Sequence, residues 1–186
     1  MFITNTKVVL NSLVAIFIIG GILAFFLRPN LEPVDITEST SGNAIGEQLN
    51  YQSPDFSLAS VSGDKFKLSD QKGRTIILLF WHTQSVLAVD QLTTIDKLAA
   101  ADKVNVYQAI NVGEDESVVR NFLRRSGHTM SVLFDADNEV AQVYNISSYP
   151  TTFVIDKEGK IRSKMVGEVA ASKLNAEIDK LKGSSP

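Results

Sequence analysis

The run Thr75–Trp81, TIILLFW, constrains this chain more than any other feature of it. Apolar and polar residues do not alternate in it, so both faces of the segment must be covered, and a strand covered on both faces lies inside a sheet layered with helices. The next segment has the matching helical period. Ala88, Leu92, Ile95 and Ala99 fall on one stripe of a helix predicted over Val86–Ala101, with Asp90, Lys97 and Asp102 on its wet side. A second strand is predicted over Val104–Ile110, and a second helix over Asp115–Ser126 that stops at Gly127. Met130–Phe134 reads as a short strand or an extended lead-in. Thr151–Asp156 and Ile161–Val166 read as a hairpin around Lys157, Glu158, Gly159 and Lys160, and Ser172–Leu181 as a closing amphipathic helix. This order predicts an α/β or α+β sheet with helices packed on it.

Ahead of this domain, Val8–Leu27 (VVLNSLVAIFIIGGILAFFL) carries no charge and has roughly the 20 residues that a helix needs to cross a bilayer. A cleaved signal peptide has a shorter apolar region and small residues at its cleavage site, where this chain has Phe25, Phe26 and Leu27. An uncleaved single-pass anchor is therefore predicted. Lys7 precedes the span, Arg28 follows it, and residues 29–64 contain acids but no base, which favours a domain on the extracytoplasmic side. Glu32, Asp35, Glu38 and Glu47 lie in a segment rich in Ser, Thr, Asn and Gly. It reads as a flexible tether spanning about 25 to 30 Å. The expected division is a short tail (1–7), the anchor (8–27), an acidic linker (28–52), a folded domain (53–182) and a C-terminal tail (183–186).

Charge and composition exclude several classes of function. The net charge is -3, with bases and acids interspersed, so no basic stripe is offered to nucleic acid. The 186 residues contain no cysteine, which removes disulfides, thiolate nucleophiles, iron–sulfur clusters and cysteine-ligated zinc together. His82 and His128 are the two histidines and lie far apart in sequence, so no metal site is predicted. No cofactor is implied.

Three segments in order, SPDFSL (Ser53–Leu58), GDKFKLSDQKGRTIILLFW (Gly63–Trp81) and YPTTFVIDKEGKI (Tyr149–Ile161), resemble the membrane-tethered thiol-disulfide oxidoreductases of the TlpA/ResA type. These belong to the wider AhpC/TSA redoxin group, and the resemblance covers about residues 51–182. It implies a thioredoxin-like fold, with a central mixed sheet flanked by helices and an added N-terminal hairpin from Phe56–Leu68. It also implies a Cys-x-x-Cys motif at the start of the helix after Phe80 and Trp81, which places Ser85 at the first cysteine position and Ala88 at the second. In such a motif the helix terminus lowers one thiol's pKa and the second thiol resolves the mixed disulfide. A hydroxyl does not substitute in that exchange, and Ala88 offers no resolving group. Leu79 stands where thioredoxins proper often bury an acid.

Ser85 itself reads as the cap of its helix. A rival reading makes His82 a base for Ser85 as nucleophile, but adjacent residues supply no orienting carboxylate. His128 reads as a surface residue and Trp81 as core. The resemblance further implies a cis Tyr149–Pro150 bond facing the motif, so that His82, Thr83, Gln84, Ser85, Tyr149 and Pro150 line a groove for a peptide held by backbone pairing. Groove retention and simple fold retention make the same demand on that loop. No residue is assigned a catalytic role. The expected function is a redox-inactive protein that binds or scaffolds a protein partner in envelope redox or cytochrome c assembly. The alternative is a redoxin-family oxidoreductase or peroxidase-like enzyme acting without its own thiols or with a partner's cysteines.

Overall fold

A computed structural model of the chain describes residues 50–182. The expected anchor, both tails and most of the linker lie outside the described residues. Among the described residues no helix is long and apolar enough to cross a membrane.

The first regular element among the described residues is a small antiparallel hairpin, β1 (Ser57–Ala59) and β2 (Lys65–Lys67), followed by a 3-10 turn at Leu68–Gln71. Next come β3 (Ile76–Trp81), α1 (Val86–Ala101), β4 (Val106–Val112), α2 (Glu116–Ser126) and β5 (Val132–Asp135). The chain closes with α3 (Glu139–Val143), β6 (Thr151–Ile155), β7 (Ile161–Val166) and α4 (Ala171–Lys182). The five-stranded sheet has the order β5-β4-β3-β6-β7. β3, β4 and β5 run parallel, and β6 and β7 join antiparallel, giving the mixed sheet.

β3 holds the centre because all six of its residues are buried, as an unbroken apolar run requires. Its alternate side chains feed two cores. Ile76, Leu78 and Phe80 pack with Phe56, Leu68, Val140, Tyr144 and Phe153 on the hairpin side. Ile77, Leu79 and Trp81 pack with Ala88, Leu92 and Ile95 of α1, Val119 and Leu123 of α2, and Leu174 and Ile178 of α4. Trp81 is fully buried against the ring of Phe122 at 5.5 Å.

Several boundaries differ from those predicted. β4 starts at Val106 and not Val104, because the Asp102 carboxylate accepts the amides of Val104 at 2.8 Å and Asn105 at 3.3 Å and holds both in a turn. α3 has no counterpart among the predicted elements. Residues 50–52, read from sequence as the end of the tether, join the fold: Asn50 N–H donates to Ile161 O, and Ile161 N–H donates to Tyr51 O. α2 does end at Gly127, whose φ of 73° is the left-handed conformation that glycine adopts freely.

Candidate functional site

The site lies where β3 ends and α1 begins. Trp81 is the last strand residue, and the chain then turns through His82, Thr83 and Gln84, closed by Ser85 N–H donating to His82 O at 3.2 Å. Ser85 is the N-cap of α1. Its backbone is extended, and its Oγ accepts the amide of Ala88 at 3.3 Å, satisfying one of the free donors of the first helical turn. The same hydroxyl donates to the carbonyl of Tyr149 at 3.4 Å. The Tyr149–Pro150 peptide bond is cis.

Structure thus brings together all six residues of the groove: His82, Thr83, Gln84 and Ser85 on one side, Tyr149 and Pro150 on the other. The rings of His82 and Tyr149 lie 5.8 Å apart, which joins the two sides. Ala88, at the second family thiol position, is fully buried on the face of α1 that packs against β3. Between positions 85 and 88, Val86 is 75% and Leu87 52% exposed. Val166, paired with Thr151 next to Pro150 in sequence, is exposed as well.

Sequence reasoning missed Glu114. The pairing of Trp81 with Asn111 across β3 and β4 sets the ends of the two strands side by side, and the chain then turns at Gly113. A Cβ on Gly113 would meet Asn138 Oδ1 at 2.5 Å, and its φ is 68°. Glu114, only 8% exposed, therefore points back at the loop after β3. It accepts Thr83 N–H at 2.7 Å, Thr83 Oγ1–H at 2.5 Å and Asn111 Nδ2–H at 2.7 Å, and its Oε1 lies 3.5 Å from His82 Nδ1. This is the orienting carboxylate that the residues adjacent to His82 do not supply.

It does not complete a nucleophile. His82 Nδ1 faces Gln84 N–H and Glu114, while the Ser85 hydroxyl spends its proton on Tyr149 O and a lone pair on Ala88 N–H. No proton path runs from Ser85 to His82. Beside them, burial pushes the Tyr149 phenol up, and the carboxylates of Asp135 and Glu114 act in the same direction. His128 does not lie on the surface. After the left-handed turn at Gly127 its side chain, 7% exposed, folds back toward Asp96 at 3.4 Å and stacks on Phe122.

Residues 49–164 match the AhpC/TSA family. The chain belongs to that family. Among AhpC/TSA relatives, it is 33% identical over 149 residues to the thioredoxin-like protein YneN of Bacillus subtilis, covering 78% of this chain and 87% of that protein. It is 30% identical over 131 residues to the thiol-disulfide oxidoreductase ResA of Geobacillus kaustophilus, covering 69% and 75%. The fold agrees. A thiol:disulfide interchange protein DsbE from Chlorobium tepidum superposes with a TM-score of 0.67 at 26% identity, covering 72% of this chain and 97% of that one. The exposed lipoprotein thioredoxin Etrx1 of Streptococcus pneumoniae gives 0.65 at 26% identity, covering 69% and 100%. The AhpC/TSA domain is therefore thioredoxin-like, with relatives that are thiol-disulfide oxidoreductases, and it has no cysteine of its own.

Proposed function

We propose that this chain is a redox-inactive thioredoxin-like protein that binds or scaffolds a protein partner through the groove at Ser85, Tyr149 and Pro150. It is held on the extracytoplasmic side of a membrane by Val8–Leu27. The observation that carries this reading is the chemistry of the two family thiol positions: a serine hydroxyl with donor and acceptor both engaged, and a buried methyl group. Neither can exchange with a disulfide. The surroundings of both positions suit binding, because Val86 and Leu87 leave apolar surface in water between them. The relatives' names, thiol-disulfide oxidoreductase and thiol:disulfide interchange protein, support a partner in thiol–disulfide handling, and we infer that it acts in envelope redox or cytochrome c assembly. The alternative, an enzyme that works on a partner's cysteines, draws on the Glu114–His82 pair beside the groove.

Two measurements on the full chain separate these readings. In detergent, the purified protein is expected to give no dithiol-dependent insulin reduction and no peroxide consumption; turnover in either assay overturns redox inactivity. In membranes, a photo-crosslinker at position 149 is expected to capture a discrete protein, with less capture after Leu87→Asp or Pro150→Ala. Labelling that neither substitution changes removes the groove.

A further inference from the structure

A second concavity shares a wall with the groove. Thr83, one of the groove residues, also lines a cleft of about 510 Å3 together with Val118, Asn121, Phe122, Arg125 and Ser126 of α2. Its volume falls in the range of ligand-binding clefts. The shared wall is fixed, because Thr83 gives both its N–H and its hydroxyl to the buried Glu114.

α2 offers this cleft a stripe that its core packing does not use. The helix buries Val119 and Leu123. Val118, Asn121, Phe122 and Arg125 recur at the three- and four-residue spacing of a neighbouring face. Val118 is 46% exposed. Phe122 is half-buried and held by the rings of Trp81 at 5.5 Å and His128 at 6.2 Å, so it is a fixed apolar surface. The arginines of the helix are not equivalent. Arg120 is engaged by Glu116 and the Val61 carbonyl, and Arg124 by the Asn121 side chain. Arg125, exposed in the last turn, has no hydrogen bond or ion pair among the described residues. Arg124 in the same turn already complements the carboxyl end of the helix. An unpaired cation beside Val118 and Phe122 is complementary to a carboxylate that neighbours an apolar side chain.

We propose that this cleft is a second arm of the groove and selects partners whose extended segment carries an apolar side chain next to an acidic one. The apolar side chain meets Val118 and Phe122, and the carboxylate meets Arg125. The inference rests on the groove reading and adds the chemistry of the partner: backbone and apolar contacts hold the segment in the groove, and the cleft chooses among segments by charge.

Two fluorescent peptides, alike in a Val-Leu pair and differing only in a flanking Glu-Glu or Lys-Lys, serve as probes of the full chain in detergent, with binding read by anisotropy. The Glu-Glu peptide is expected to bind about fivefold more tightly at low salt, with the difference shrinking as salt rises. In Arg125→Glu the order of the two peptides reverses, which a misfolded variant cannot produce. Val118→Ser and Leu87→Ser, one in the cleft and one beside the groove, each weaken both peptides and keep their order. Equal or no affinity for the two peptides overturns the inference, as does an order that Arg125→Glu leaves unchanged. If Leu87→Ser still weakens both peptides in that case, the groove stands without its second arm. An order set by Arg125 in a chain that Leu87→Ser leaves at full affinity removes the groove reading, and with it the two-armed site. Self-association of the chain that Arg125→Glu abolishes makes a second copy the occupant and overturns the acidic peptide.

Discussion

Glu114 and Ser85 both tie the β3–α1 loop to its surroundings, and their side chains predict different losses. Glu114 is buried and gathers three donors, two from Thr83 and one from Asn111. Glu114→Ala strands those donors in a site with little water, so a loss of roughly 3 kcal/mol is expected from urea denaturation. Ser85→Ala removes the capping bond and the long bond to Tyr149 O at a half-buried position and is expected to lose about 1 kcal/mol. Equal losses would show that the Glu114 cluster is satisfied in some other way. The contrast also marks what a sequence reveals. Ser85 was legible as a cap because capping is local, between residues three apart. Glu114 was not, because 31 residues separate it from Thr83 and only the β3–β4 register joins them. The available signal was an acid just past the end of a parallel strand, where such sheets commonly place functional groups.

At the scale of elements, the β6–β7 hairpin has its own electrostatic anchor. Burial alone would raise the Asp156 carboxyl. The Lys160 amide at 2.8 Å, the Arg162 guanidinium at 2.5 Å and the Glu158 amide outweigh that and hold it below the usual carboxylate range. A depressed folded-state pKa contributes stability that is present above the unfolded value, about 3.9, and lost as pH falls through the folded one. Asp156→Asn is therefore expected to be less stable than wild type near neutrality, with the gap closing below about pH 4 in urea titrations. A gap that is constant down to acid pH would dismiss the charge as its cause. This hairpin was readable because its turn residues and its two β-branched, apolar-rich runs are contiguous. α3 was not: it has five residues, it starts from Asn138 at a positive φ of 60°, and the amides of Val140 and Ala141 are held by Asp135 from the preceding strand. A helix whose first amides are held from five and six residues back, and not from its own N-cap position, lacks the usual cap spacing.

For the whole molecule, the two cores on either side of β3 fix the relation between strand and helix without help from any thiol. Ile77, Leu79 and Trp81 are locked against Ala88, Leu92 and Ile95, so position 88 is set by packing, and position 85 by its cap and its bond to Tyr149 O. It follows that the frame should accept the chemistry it lacks. In the double variant Ser85→Cys, Ala88→Cys, the first sulfur stands at the helix amino terminus, near the Ala88 amide that now meets Ser85 Oγ at 3.3 Å. Both features favour a thiolate, so its pKa is expected below the ordinary value of about 8.5. The second sulfur enters a position with no exposure, at a loss of about 1 kcal/mol for overpacking. Thiol titration should find two free thiols after reduction and none after mild oxidation, with no disulfide-linked dimer formed, and insulin reduction should appear only in the double variant. A double variant whose thiols refuse to pair would show instead that the loop around Ser85 has diverged from thiol-ready geometry, and that more than two side chains separate this chain from its oxidoreductase relatives.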